Sequence, residues 1–298
     1  MIDESLITVF TPTFNRAYCL DGLYKSLNLQ SSKNFEWLIV DDGSTDNTEN
    51  LVYNFQKNAQ FRIRYFKVEH GGKHRAINKG VKLAEGFLFF IVDSDDQLTV
   101  DAVEKLLLWE KTIDIKEQFA GISGICGYDT KKIVGSTFEG TYIDATNLER
   151  LKYNILGDKS EAYYTAVLRE YPFPEIQGES FITEDIVWDR IAASGLKIRW
   201  FNDVIYIVQQ KKDGLMAQGN MRYANNPIGY AVYVLQKEKF LKLTRRQRLY
   251  SGYYFYDTVK SKVSIHYAAK LLKRNFLVFF LFWIWQSIKI IMKRRSFS

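Results

Sequence analysis

Cysteine is nearly absent. Cys19 and Cys126 are the only two, and their spacing suits no metal motif. One pair so far apart is weak ground for a disulfide, so both read as buried thiols in a reducing compartment. Only four prolines occur, with no biased tract and no repeat of fixed period. Long disorder and repeat architectures are therefore not expected. There is no G-x-x-x-x-G-K-[ST] loop and no G-x-G-x-x-G. The longest uncharged apolar stretch, Asn275 to Ile288, has 14 residues. As a helix it would run about 21 Å, whereas a bilayer core needs roughly 20 residues. The first residues place acids ahead of the apolar run, so no secretory leader is expected.

What is present is apolar and unevenly charged. The 298 residues suffice for one large α/β domain with an extension, or for two smaller domains. Apolar residues make up 47% of the chain, enough for a sizeable core. Residues 1–210 carry 23 Lys and Arg against 31 Asp and Glu, and residues 211–298 carry 18 against 3. An acidic body with a basic tail points the tail at an anionic partner.

Short apolar runs end repeatedly in polar clusters. LITVFT (6–11) reads as a buried strand leading to Pro12 and Thr13. Apolar positions from Asn15 to Leu29 recur at helical spacing. FEWLIV runs into Asp41, Asp42, Gly43 and Ser44. A helix follows, with Ser44, Thr45 or Asp46 as its N-cap. FRIRYFKVE alternates as a third strand. HRAINKGVKLAEG is a helix that Gly86 is expected to close. FLFFIV is a fourth strand, and TVDAVEKLLLWEKTI a further helix. This rhythm predicts a mainly parallel sheet covered on both faces, over about residues 1–115. Ligands of such sheets bind at the carboxyl ends of the strands. Over 116–210 the rhythm loosens. FAGISGICGYDT, AYYTAVLREYPF and LKIRWFNDVIYIVQQ read as strands, TEDIVWDRIAASG as a helix, and this half as mixed or antiparallel. Residues 211–298 open on a polar loop and continue as helices.

FFIVDSDDQL raises the sharpest question. Three carboxylates in four positions, Asp93, Asp95 and Asp96, follow a buried strand and repel one another. A turn or helix cap would need one acid. Three fit a divalent cation, which converts repulsion into coordination. Hard oxygen donors favour Mg²⁺ or Mn²⁺ over Zn²⁺. So few protein oxygens leave room for substrate phosphates. Asp41 to Ser44 read either as a tight capping turn or as carboxylates for a base or ribose on the same rim. HGGKHRAINKG (70–80) brings two glycines, Lys73, His74 and Arg75 to a helix start, a position suited to phosphate. His74 by itself reads as structural. GESFITEDIVWDRIA offers Glu179, Glu184, Asp185 and Asp189, either as an exposed charged helix face or, at Glu184 or Asp185, as a general base.

Taken in order, VFTPTFNRAYCLDGLYKSLNLQ, FEWLIVDDGSTDNT, HRAINKGVKLAEGFLFFIVDSDDQLTVDAV and TEDIVWDRI resemble the family 2 glycosyltransferases. The resemblance is dense over residues 6 to about 105 and looser over 170–208. It implies an α/β fold of GT-A type, a Rossmann-like mixed sheet with helices on both faces. The nucleotide-binding half would span about 1–115 and the acceptor half 116–210. It implies inverting transfer from a nucleotide diphosphate sugar, usually a UDP-sugar, with Mg²⁺ or Mn²⁺. The acceptor would be a saccharide or polyprenyl-linked, as in bacterial surface polysaccharide synthesis. Pro12 and Phe14 would lie against the base, Asp42 would hydrogen-bond it, and Arg75 and Asn78 would lie near the nucleotide and its phosphates. Thr13, Asn15, Arg16, Asp41, Lys73 and Ser94 complete the expected donor set. Asp93 and Asp95 would form the D-x-D motif, with Asp95 on the metal and Asp93 or Asp96 nearer the ribose or donor sugar. Asp185 would deprotonate the acceptor hydroxyl, with Glu184 as the alternative. QGNMRY (218–223) is similar to the Q-x-x-R-W motif of processive synthases but has one residue too many and ends in Tyr, which speaks against processive synthesis. Nucleotidyl transfer on a similar sheet is the competing activity, and it would release pyrophosphate instead of a nucleoside diphosphate.

The last helix carries Phe276, Phe279, Phe280, Phe282, Trp283 and Trp285 between Lys273, Arg274 and Lys293, Arg294, Arg295. Aromatics beside basic residues suit an interfacial helix on anionic lipid, expected at the cytoplasmic face of a membrane. A core helix is the alternative. Nucleic-acid binding has the charge but no motif, and the apolar run is ill suited to a nucleic-acid groove.

Overall fold

The computed structural model describes residues 3–209 and 219–295. The first part of the polar loop that opens the last segment, residues 210–218, lies outside the described residues, and with it Gln218 of the QGNMRY stretch. The chain forms two compact units, 1–173 with 187–211, and 174–186 with 212–298.

The first unit is built on one nine-stranded sheet. Strands β1 (Asp3–Thr13), β2 (Phe35–Asp41), β3 (Arg62–Lys67) and β4 (Gly86–Ile91) are parallel, in the order β3-β2-β1-β4. All seven residues of β2 are buried, as a strand covered on both faces requires. Thr13 pairs with Asp41, and Asp41 with Lys67, so these strands end along one edge. Their helices are α1 (Leu20–Asn28), α2 (Thr48–Asn58), α3 (Lys73–Leu83) and α4 (Ala102–Glu110). The second half continues the sheet. Between β4 and β6 (Phe119–Gly127), β8 (Lys159–Tyr164) runs antiparallel to both, and β9 (Lys197–Ile207) lies parallel to β6. Short strands β5 (Gln97–Leu98) and β7 (Tyr142–Ala145) pair antiparallel with β9. Neither is long enough to announce itself by alternation.

Opposite the strand ends, a fully buried acid fastens the sheet. Glu36 accepts hydrogen bonds from Thr8 Oγ1 (2.7 Å), Arg64 Nη1 (2.9 Å) and the Glu85 N–H (2.9 Å). A carboxylate so satisfied is stable in the interior, and losing one partner would strand the charge. Two glycines set close approaches. A Cβ at Gly86 would sit 2.4 Å from Thr8 N, and one at Gly80 would sit 2.2 Å from the Phe10 ring. Gly86 thus opens β4 and does not close the preceding helix, which ends at Leu83 with Ala84 as its cap. Helix α1 starts at Leu20, later than the apolar spacing suggests, because Asn15 adopts a positive φ of 53° and turns the chain. The segment expected as a strand at AYYTAVLREYPF switches after Tyr164 into helix α5 (Thr165–Glu170), with Thr165 Oγ1 donating to the Gly86 carbonyl at 2.6 Å.

The second unit is helical. Helix α6 (Asp185–Ala193) begins in it and continues in the first. Then come α7 (Met221–Ala224), α8 (Pro227–Phe240), α9 (Arg245–Val259), α10 (Ile265–Leu271) and α11 (Phe276–Arg295). Its core gathers Val234, Phe255, Val259, Leu272 and Phe279. Glu179 explains why 174–186 belongs here. Its buried carboxylate accepts the N–H groups of Ile228 and Gly229, both at 2.6 Å, and so caps α8. Among the described residues no single helix is long and apolar enough to cross a membrane. The pair formed by α10 and Phe276–Lys289 passes on length and composition, with a 119° bend between them.

Half-buried on β8, Glu161 has its carboxyl pushed from 4.5 up to about 7 by desolvation, against the pull of Arg150 Nη1 at 3.8 Å. The folded protein holds this proton to higher pH than the unfolded chain. Its contribution to stability is therefore complete below pH 4.5 and is lost as pH rises to about 7. Glu161→Gln should flatten that fall, which urea titrations across this window would measure.

Candidate functional site

The polar clusters expected on one rim do converge at the carboxyl ends of β1, β2 and β4. Asp41 is fully buried. It accepts the Ser44 N–H (2.7 Å) and the Tyr65 hydroxyl (2.5 Å). Asn15 interlocks the loops after β1 and β2, since its N–H donates to Ser44 Oγ (2.8 Å) and its Oδ1 accepts the Thr45 N–H (2.8 Å). Asp42 receives the N–H groups of Gly71 and Gly72, one on each oxygen and both at 2.8 Å, with His70 Nδ1 2.9 Å from Oδ2. Gly72 sits at φ 102°, where a side chain would be strained. Asp42 thereby fixes the glycine loop that opens α3. Above it Phe14, 41% exposed, stacks on His70 with ring centres 4.3 Å apart. Pro12 lies on β1 opposite Val40. Thr13 is buried there, and its Oγ1 has no hydrogen-bond partner among the described residues.

The three acids after β4 differ in their surroundings. Asp96 is buried, and both its oxygens are engaged. Tyr206 Oη donates to one at 2.7 Å and the Gln209 N–H to the other at 2.7 Å. Burial nonetheless pushes its carboxyl up to about 7. Asp93 pairs with Lys73 Nζ at 2.8 Å, and its N–H donates to the same Tyr206 oxygen at 3.0 Å. The carboxylate of Asp95 accepts no hydrogen bond from another described residue. Burial first, and Asp93 second, raise its pKa, while Arg16 and Lys73 pull it down. Ser94 is buried between them. A partly buried acid, destabilised as an anion and accepting no hydrogen bond from another described residue, is what a hard cation would satisfy. Among the described residues no three His, Cys, Asp or Glu side chains could hold a metal by themselves. The residues therefore fit a cation that draws most of its ligands from elsewhere, as Mg²⁺ sites on substrate phosphates do.

Other candidates are placed differently. Asn78 is buried and brackets Phe173, donating to its carbonyl (3.0 Å) and accepting its N–H (2.9 Å). Arg75 donates to the Gly71 carbonyl, bracing the glycine loop from within α3. Glu184 and Asp185 belong to the second unit, where Asp185 Oδ2 lies 3.6 Å from Lys237 Nζ. His70 and Tyr206 were not singled out by the sequence. Tyr206 sits in an apolar run that reads only as strand, and pairing across the sheet alone brings its hydroxyl to the acids.

Residues 8–112 match the model of glycosyl transferase family 2. A glucosyltransferase of Campylobacter jejuni, named for GalNAc(5)-diNAcBac-PP-undecaprenol, is 32% identical over 136 residues, 45% of this chain and 42% of that protein. The first four curated relatives are spanned over 17% to 60% of their own length. Staphylococcus aureus TarS residues 1–349, solved with UDP-GlcNAc, is similar over 89% of this chain and 88% of its own, with a TM-score of 0.60 at 21% identity. The mannosyltransferase PcManGT of Pyrobaculum calidifontis, solved with GDP-Man and Mn²⁺, is similar over 90% of this chain and 78% of its own, with a TM-score of 0.55 at 19% identity. At such identities these likenesses establish the fold, which is the GT-A type.

Adjacent acids should respond in opposite directions. Asp95→Asn removes a repelling charge that lacks a partner, so in chelator-treated buffer the melting temperature should rise. Asp96→Asn cannot accept from both Tyr206 and Gln209, and should lower stability by about 1–3 kcal/mol. Differential scanning calorimetry would read both.

Proposed function

We propose that this protein transfers a sugar, with inversion, from a UDP-sugar to a saccharide or polyprenyl-linked acceptor in surface polysaccharide synthesis, a reading supported by the family 2 glycosyl transferase match over residues 8–112 and by the GT-A type fold. One observation carries the reading furthest. A partly buried Asp95, with no hydrogen bond or ion pair to another described residue, stands beside a Lys73-paired Asp93 at the end of a central parallel strand. The stacked Phe14 and His70 offer a flat apolar surface to a base. Thr13 Oγ1, buried without a partner among the described residues, is suited to a polar atom of that base. Asp41 and Asp42 act chiefly as fasteners of the loops that hold these groups. Lys73 and Arg16 bring positive charge toward the diphosphate. Pro12 and Asn15 shape the base end, Arg75 braces the glycine loop that faces the phosphates, and Asp96 holds the acidic turn that carries Ser94 on the donor-sugar side.

Asp95, with Asp93 beside it, would hold Mg²⁺ or Mn²⁺. When bound, such an ion neutralises charge on the departing nucleoside diphosphate. The acceptor hydroxyl needs a base, and Asp185 is proposed for it, with Glu184 as the competitor. The undecaprenol-linked substrate in the Campylobacter relative's name supports a lipid-linked acceptor.

A panel of nucleotide sugars, with and without Mn²⁺, should reveal one donor whose turnover releases nucleoside diphosphate. Release of pyrophosphate from a nucleoside triphosphate would instead support nucleotidyl transfer. Asp95→Asn should abolish metal-dependent turnover, and near-normal activity would remove Asp95 from the metal. Of Asp185→Asn and Glu184→Gln, the base is the one that lowers kcat by roughly a hundredfold or more while donor KM stays within a factor of a few.

A further inference from the structure

We propose that the second unit docks on an anionic lipid surface through one face of α11, independently of the catalytic reading. Six side chains of this helix are large, apolar and at least half exposed: Leu277, Val278, Leu281, Trp285, Ile288 and Met292. At 3.6 residues per turn they fall within an arc of about 100°, and the stripe from Leu277 to Met292 runs roughly 22 Å. The other side of the helix is anchored. Phe279 is buried against Gly252 and near Tyr256, Trp283 packs edge-on to Tyr256, and Phe282 edge-on to Tyr250. The helix is thus held to α9 by one face and presents a continuous apolar strip with the other. Strips of this kind mark an interaction surface.

Charge identifies the occupant. Residues 211–298 hold 18 basic against 3 acidic side chains. Exposed Lys270 and Lys273 lie just ahead of α11 in the chain, Lys289 is exposed on it, and Arg245, Arg246 and Arg248 at the α9 start are exposed as well. The Lys289 ammonium lies 5.0 Å from the Trp285 ring centre, at the edge of the strip. A Trp beside a cation matches the boundary between acyl chains and headgroups. Pairing with a second copy across a two-fold axis would set this basic surface against itself. An anionic surface attracts the same charges. Among the described residues no single helix is both long and apolar enough to cross a bilayer, and the proposal lays α11 in the interface plane.

Sedimentation of the full chain with vesicles tests this. The protein should pellet with phosphatidylglycerol-containing vesicles at low salt, and weakly or not at all with phosphatidylcholine alone. Leu281→Gln with Trp285→Gln should cut binding about tenfold or more. An unchanged melting temperature, expected for exposed positions, would show that this variant folds. Lys289→Glu, which removes no apolar strip residue, should weaken binding to the anionic vesicles. Leu151→Gln, at an exposed apolar residue of the first unit, should bind like wild type. Equal binding to neutral vesicles, no binding at all, or wild-type binding by the double variant would overturn the proposal. So would light scattering that finds a dimer which the double variant converts to monomer.

Discussion

Crowded negative charge at the end of β4 is the constraint around which this rim is organised. Three carboxylates in four residues cannot all ionise in a partly buried turn without help. The fold meets the problem in three ways. Asp96 is clasped by a tyrosine hydroxyl and a backbone N–H, Asp93 is neutralised by a lysine, and Asp95 is left unmatched. The hydroxyl that serves Asp96 also receives the Asp93 N–H, so one atom of Tyr206 braces both ends of the turn. That atom comes from β9, separated from β4 in the sheet by β8 and β6. The antiparallel half of the sheet is therefore a structural partner of the acidic turn.

The same economy recurs along the edge. Asp42 and Asn15 direct their side-chain oxygens at backbone N–H groups of neighbouring loops, and Asp41 directs one at the Ser44 N–H of its own turn. The glycine loop and the loop after β2 are thereby fastened by side chains from other segments. Polar residues that looked like ligand contacts often turn out to be the fasteners of ligand contacts. The groups left available, the Phe14 ring, Thr13 Oγ1 and the Asp95 carboxylate, differ in chemistry as a base, its polar edge and a metallated diphosphate differ.

Much of this was legible before any coordinates. Apolar runs ending in acids gave the four parallel strands and the shared rim, because a strand buried on both faces must be apolar and must shed its polar residues at its ends. The family resemblance carried the fold class. What sequence could not supply were features fixed by partners far along the chain. Tyr206 reads as one more strand residue until pairing brings it to Asp96. Glu179 reads as a charged helix face or a site acid until it caps α8, 50 residues on. The switch from β8 to α5 within AYYTAVLREYPF is likewise tertiary, for its Thr165 is held by the carbonyl of Gly86. The two shortest strands exist only because β9 offers them an edge.

Gly80 has no side chain, yet the chemistry of the rim is tied to it. The Phe10 ring occupies the space its side chain would fill. That absence sets the height at which α3 rides over the sheet. The same helix begins at Lys73, directly after the glycine loop held by Asp42. A single methyl at position 80 would act as a shim under a rigid lever, lifting the lysine from Asp93 while every residue of the rim kept its identity.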